Sequence, residues 1–298
     1  MQDLPQWYSV LSIQAIAGRS NFVDSLLPSC AMDPSLAPFL KWAGGKRWLL
    51  PLAQRLARTP VKRYFEPFVG SGAMFFAIRP AHSVLSDLNR ELVETYQAIQ
   101  EDWAAVSSAL VKHHKAHSFE YYYRMRAAAP RTAHTKAARF IYLNRTCWNG
   151  LYRVNRAGMF NTPIGTKTNV ILKTDDFEAV AQSLVDTRLL VSDFESVVDQ
   201  AGRGDLVFAD PPYTVRHQFN GFIKYNEKLF SWADQERLMA ALARAKERGA
   251  KIVCTNADHK SVRDLYAKEF SLTPVNRYSA ISGSSASRGR YAELVIMG

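Results

Sequence analysis

The chain has 298 residues, enough for one large domain carrying an inserted or appended module. Hydrophobic residues make up 47% and charged residues 22%, which excludes disordered and collagen-like chains and predicts a folded, water-soluble protein. The formal charge of +11 suits a polyanionic partner, either nucleic acid or an anionic membrane surface, without choosing between them.

Residues 1–37 form an N-terminal extension to which no function is assigned. Its opening carries Asp3 where a signal peptide would be positive, and Gln14 interrupts the apolar run, so secretion is not expected. Cys30, Cys147 and Cys254 are widely spaced and lack any CxxC pair, so neither a disulfide framework nor a metal site is expected and a cytoplasmic protein fits best. No uncharged apolar run reaches the length of a membrane span.

From there, short apolar runs alternate with stretches of helical period, the pattern of an α/β fold with a largely parallel sheet. Strands are predicted at Arg63 to Glu66, Ser83 to Ser86, Leu189 to Ser192, Asp205 to Ala209, Lys251 to Thr255 and Ala292 to Met297. Helices are predicted at Ala73 to Ala77, Glu91 to Ile99, Trp232 to Glu247 and Lys260 to Ala267. The interval 101–186 is too long for an ordinary crossover and turns from helical texture to a stretch rich in Asn, Arg, Gly and Pro. It is predicted to be an inserted module between the two parts, 38–100 and 187–298, of the main domain. Within it the KHHKAH run at Lys112 to His117 is expected to be a solvated helix face. The segment Ser282 to Arg290 is expected to be a loop.

Three constellations carry chemistry. In YFEPFVGSGAMFF a strand ends at Glu66, Gly70 and Gly72 form a turn, and a helix begins. Such a turn lets backbone N–H groups face a ligand, although glycines chosen only for their φ freedom explain it as well. In SVLSDLN, Asp87 ends the next strand, where a carboxylate can accept hydrogen bonds from ribose hydroxyls or cap the following helix.

The third, DLVFADPPYT, sets Asp210, Pro211, Pro212 and Tyr213 directly after an apolar strand. An exocyclic amine on a heteroaromatic ring is a poor nucleophile because its lone pair is delocalised. The Asp210 carboxylate and the Pro211 carbonyl can accept its two N–H protons and aim the lone pair at a methyl donor. The prolines fix that carbonyl, and Tyr213 offers a stacking face to an extruded base.

Together with FLKWAGGKRWLLP at Phe39 to Pro51, these motifs resemble the Dam-like, D12-class adenine-N6 DNA methyltransferases, in family order from about Phe39 to Gly298. The resemblance implies a Rossmann-like S-adenosylmethionine-dependent methyltransferase sheet with an inserted, mainly helical target-recognition domain. It carries S-adenosylmethionine contacts onto Trp42, Lys46 and Asp87, with Asp210 shared between cofactor and substrate. Leu143 to Gly165 is similar to the family's recognition hairpin, in which Asn149-Gly150 suits a tight turn. Arg153 can pair with guanine, and Leu151 and Pro163 can pack on thymine methyls. The family pattern adds a guanine contact at Lys41 and an aromatic wedge at Trp148, for which packing inside the hairpin is the alternative.

The resemblance makes GATC in double-stranded DNA the leading target, with a longer site containing GAT left open. Arg145, Arg153, Arg156 and Lys167 are expected to track phosphate, and Arg288 of the late loop is a further candidate. No cysteine stands where a cytosine-C5 enzyme needs its nucleophile, so Cys147 and Cys254 are expected to pack. Cytosine-N4 methylation and a catalytically silent DNA-binding relative are the rival readings. A monomer is expected, and a cognate restriction endonuclease is left open as a partner.

Overall fold

The computed structural model describes residues 36–298 except 43, 45, 156–157, 215–229 and 279–289. Most of the N-terminal extension, Cys30, Arg156, Arg288 and nearly all of the Ser282 to Arg290 segment therefore lie outside the described residues.

Seven strands build a mixed sheet: β1 (Tyr64–Glu66), β2 (Ser83–Asp87), β3 (Thr187–Val191), β4 (Leu206–Ala209), β5 (Lys251–Ala257), β6 (Ser271–Tyr278) and β7 (Arg290–Met297). Their order is β3-β2-β1-β4-β5-β7-β6. β1 pairs in parallel with both β2 and β4, and β2 with β3. β7 is antiparallel to β5 and to β6, with Val295 opposite both Thr255 and Thr273. β1 and β4 are buried at every residue, which is why β4 appears in the sequence as an uninterrupted apolar run rather than an alternating one.

The chain divides into two compact units, Ser35–Asp210 with Ala240–Ile252, and Pro211–Met239 with Val253–Gly298, plus residues 1–34. In the first, the chain runs outward from β1 through β2 to β3 and then returns to the other side of β1 as β4. The strand order thus reverses beside β1, the place where open α/β sheets bind ligands at their carboxyl ends.

The helices of the first unit are α1 (Leu50–Ala57), α2 (Ala73–Ile78), α3 (Arg90–Ala116), α4 (Phe119–Ala127), α5 (Ala133–Thr146), α6 (Phe177–Ser183) and α7 (Phe194–Val198). Asn89, Ser118, Asp176 and Asp193 begin α3, α4, α6 and α7 by accepting backbone N–H groups on their side chains. α3 is longer than the apolar period predicts. It is two helical stretches meeting at Asp102, whose backbone is non-helical and whose carboxylate caps Ala105 N–H. Two further helices, α8 (Trp232–Glu247) and α9 (Lys260–Tyr266), follow β4 and β5.

Two expectations about charged residues fail. Arg145 does not track phosphate: it is 1% exposed, and its guanidinium makes paired 2.6 Å bonds to both oxygens of Asp175. It also donates to the carbonyls of Val170 at 2.6 Å and Phe39 at 2.8 Å. Nor is the KHHKAH run uniformly solvated. His113 stacks on Tyr142 with 5.0 Å between centroids and shares a 2.8 Å bond with the Tyr121 hydroxyl. Burial, and secondarily Arg139, push it down to about 4, so it is neutral at physiological pH. His117 bonds to the Tyr142 hydroxyl at 2.9 Å, which leaves Lys112, His114, Lys115 and Ala116 as the exposed part of the run. Cys147 and Cys254 are both buried, as expected of packing residues.

A buried guanidinium that loses its carboxylate keeps its desolvation cost. Asp175→Ala is therefore expected to destabilise the protein by about 3–5 kcal/mol, as measured by urea unfolding, with little relief from added salt.

Candidate functional site

The glycine turn after β1 is open backbone used for close approach. Gly70 has φ +48°, and a Cβ there would stand 2.7 Å from Cδ1 of Trp42. Gly72 has φ +67°, and a Cβ there would stand 2.9 Å from the Tyr96 hydroxyl oxygen, whose proton is donated to Gly70 O at 3.1 Å. The φ requirement holds at both glycines, and the close approach is that of the chain's own Trp42 and Tyr96 side chains. Trp42 is half-buried and lies against this turn.

Asp87 closes β2 beside it. Its Oδ2 accepts Gly70 N–H at 3.3 Å and its Oδ1 accepts Asn89 N–H at 2.9 Å. The cap of α3 is Asn89, which takes Leu92 N–H on its own side chain. Asp87 is thus not the capping residue but a carboxylate fixed to the glycine turn. Burial raises its pKa above the usual aspartate value, against the three backbone N–H groups that lower it.

At the end of β4, Asp210 Oδ1 lies 2.9 Å from Lys46 Nζ, and Lys46, only 5% exposed, also donates to Gly44 O at 2.7 Å. Sequence positions 164 residues apart are thereby brought into one ion pair (210 − 46). Next to it on β1 is Glu66, which the sequence reading passed over. It is buried, accepts the Tyr64 hydroxyl at 2.8 Å, and has its pKa pushed up to about 8, foremost by burial and then by the Asp210 carboxylate, against the opposing Tyr64 bond.

Beyond Asp210 the chain enters the second unit. Pro211 is buried, while Pro212 and Tyr213 are partly exposed. The Tyr213 hydroxyl donates to Oε2 of Glu293 on β7 at 2.8 Å, and the Thr214 hydroxyl to Phe230 O at 2.6 Å.

The segment 143–165 doubles back on itself through antiparallel bridges at Cys147 with Ile164 and Val154 with Phe160. Asn149 and Gly150, both at positive φ, form a tight turn, but at the entrance of the hairpin. The reversal itself is at Asn155 to Met159, where Asn155 N–H bonds to Met159 O at 2.8 Å. Trp148 is 51% exposed and Leu151 43%, so Trp148 is not packed inside the hairpin. Asn149, Arg153 and Pro163 are exposed, and Arg153 Nε donates to Asn161 Oδ1 at 3.0 Å. Lys41 joins this face through Asn144, which accepts Lys41 N–H at 2.9 Å and donates to Lys41 O at 2.8 Å. Burial, then Lys167, lower the Lys41 pKa.

The family model for D12 class N6 adenine-specific DNA methyltransferases matches residues 42–281. The chain belongs to that family. Among its relatives, the Type II methyltransferase M1.LlaDCHI of Lactococcus lactis subsp. cremoris is 32% identical over 271 residues, covering 88% of this chain and 95% of the relative. The Type II methyltransferase M.MjaIII of Methanocaldococcus jannaschii is 31% identical over 284 residues, covering 87% and 98%. The DNA adenine methylase of Haemophilus influenzae is 30% identical over 270 residues, covering 87% and 92%. No described helix of this methyltransferase is long and apolar enough to cross a membrane.

Further residues stand at the same strand ends without having been singled out from the sequence. Phe194 follows β3 and stacks on Phe68 of the glycine turn at 5.5 Å, and Asp193 precedes it. The sequence cue was available in SDF, an acidic residue just after a strand, the same pattern that marks Asp87. Glu293 had no comparable cue, because its partner Tyr213 is 80 positions away.

Because Glu66 has a higher pKa folded than its ordinary value of 4.5, the folded state holds the proton more tightly than the unfolded chain. Its stabilising contribution is complete below about 4.5 and is lost as pH rises toward about 8. Stability measured by urea unfolding should therefore fall across that window in the wild type, and the slope should shrink in Glu66→Gln. Parallel pH profiles for the two proteins would assign the proton elsewhere.

Proposed function

We propose that the chain transfers the methyl group of S-adenosylmethionine to N6 of adenine in duplex DNA, at GATC, by base flipping and direct attack. The observation that carries this reading is the Lys46–Asp210 pair at the end of β4. It puts the carboxylate of the DPPY string in the same unit as Asp87 and the glycine turn.

The residues present fit the donor. Asp87 suits ribose hydroxyls, Gly70 leaves the space in which Trp42 lies against the turn as an aromatic wall, and Lys46 matches a carboxylate. When bound, S-adenosylmethionine supplies an electrophilic methyl group on a sulfonium. The chain's part is to prepare the amine. The Asp210 carboxylate and the carbonyl of the next residue, Pro211, accept hydrogen bonds from its two N–H groups, which localises the lone pair on nitrogen. Once the methyl has moved and the sulfonium has become a neutral thioether, the surplus N6 proton is lost to water by way of the Asp210 carboxylate. Lys46 balances the charge of Asp210, and Tyr213 stacks on the extruded ring, its hydroxyl tethered to Glu293. Binding energy recovered in that pocket offsets the few kcal/mol of unstacking.

Reading of the target falls to the hairpin. Arg153 makes the bidentate guanine contact, with its guanidinium steered by Asn161. Lys41 contacts a second guanine, Leu151 and Pro163 pack on thymine methyls, and exposed Trp148 fills the gap left by the flipped base. Arg153 and Lys167, with the chain's net +11, add salt-dependent affinity for phosphate. The protein acts as a cytoplasmic monomer on this reading.

Purified protein, S-adenosylmethionine and unmethylated plasmid are expected to yield N6-methyladenine confined to GATC, mapped by single-molecule sequencing. Modification at another sequence would correct the target, and none at all, from folded and cofactor-binding protein, would leave a silent DNA-binding relative. Asp210→Ala should lower methyl transfer by about 10²–10⁴-fold in protein that still folds, with a lower thermal melt because the buried Lys46 loses its carboxylate. Arg153→Ala should cost about 1–3 kcal/mol of discrimination and relax the sequence preference at one position. A uniform loss across all sequences would instead assign Arg153 to phosphate.

A further inference from the structure

We propose that Tyr152 is a positioning residue that couples methyl-donor binding to DNA reading, by joining the recognition hairpin to the wall of the donor site. The inference rests on the methyl-transfer reading and concerns a residue that reading leaves unused.

Tyr152 stands between Leu151 and Arg153, whose side chains are exposed, and its own is turned inward. Its ring stacks on Trp42 with centroids 5.8 Å apart and planes 22° from parallel. It also packs on Phe140 at 4.9 Å and on Phe160, in the returning arm of the hairpin, at 5.4 Å. Its hydroxyl donates to the carboxylate of Glu91, which lies in the first turn of α3, four residues after Asp87, and 3.6 Å from Arg139. Burial foremost, and then Glu91, hold that hydroxyl far above the ordinary tyrosine pKa, so it remains a donor throughout the neutral range.

One side chain therefore touches the indole that lies against Gly70, the helix that leaves Asp87, and both arms of the hairpin. Close-packed rings cannot interpenetrate, so a donor that moves Trp42 must either move Tyr152 or be resisted by it. A duplex that fixes the hairpin constrains Trp42 in the same way. Such coupling is reciprocal, and its usual size is roughly 5–150-fold in affinity.

The test is calorimetric titration of S-adenosylhomocysteine into the full chain, with and without a duplex carrying the target site, for wild type, Tyr152→Phe and Tyr152→Ala. The duplex is expected to tighten wild-type binding at least about 5-fold. In Tyr152→Ala that factor should fall below twofold. The KM values for DNA and for S-adenosylmethionine should both rise by more than kcat falls, a split that simple loss of folded protein would not produce. Tyr152→Phe keeps the ring stack and loses the Glu91 bond, so its factor should lie between the two and at least twofold below wild type.

A wild type without coupling, or a folded Tyr152→Ala that retains the full factor, overturns the proposal. Should Tyr152→Ala not fold, Tyr152→Phe decides, and a factor equal to wild type overturns it. Failure of the wild type to bind S-adenosylhomocysteine at all would bring down the methyl-transfer reading as well. Normal wild-type binding and transfer with coupling intact in the variants would remove only the role of Tyr152.

Discussion

Three carboxylates at the carboxyl ends of adjacent strands, Glu66 on β1, Asp87 on β2 and Asp210 after β4, have to be accommodated in a largely buried setting. An ionised carboxylate taken out of water loses several kcal/mol of hydration unless something compensates it. Each is compensated differently. Glu66 keeps its proton and takes the Tyr64 hydroxyl, Asp87 accepts backbone N–H groups from Gly70 and Asn89, and Asp210 pairs with Lys46. Three similar groups thus acquire three different characters from position alone: a neutral acid, an acceptor fixed to the turn, and an ion-paired carboxylate. The glycine turn follows from the same arrangement, since it supplies the N–H group that Asp87 needs and the space that Trp42 occupies.

The segment Phe39 to Trp42 ties this site to α5. Arg145 and Asn144, adjacent at the end of α5, hold the carbonyl of Phe39 and both backbone groups of Lys41. Asn144 also reaches Gly150 O at 3.5 Å, and a Cβ on Gly150 would come within 3.0 Å of the Lys41 side chain. One turn of helix therefore fixes the backbone on which Lys41 and Trp42 stand, and Asp175 keeps the buried Arg145 charge tolerable in that position. The positive charge of Arg145 is used up internally, so it adds to the net charge of the chain without adding to its surface.

Much of the frame was legible in the sequence because strand ends carry their chemistry locally. An apolar run followed by an acidic residue and a turn marks β1, β2 and β4 within one short window each, and α8 has the predicted bounds. β6 was not legible, because Pro274 interrupts its run; the strand lies at the edge of the sheet, where a missing N–H is tolerated. Arg145 was misassigned for a different reason. A basic residue in a basic stretch looks solvated until its partner is known, and Asp175 is 30 positions away behind a glycine- and proline-bearing hairpin. His113 is the same case, its neighbours Tyr121 and Tyr142 coming from α4 and α5.

On the proposed function, the arms of the hairpin let base reading and anchoring coexist in a handful of residues. Extended backbone sends successive side chains to opposite faces, so Leu151 and Arg153 point outward while Tyr152, between them, points inward. A substitution on the outer face changes what the protein meets and leaves the stack on Trp42 intact. A substitution at Tyr152 changes no outward group yet disturbs the wall against Gly70. The two faces are separable in sequence and adjacent in space, and the separation comes from the alternation of side chains along the extended arm rather than from distance.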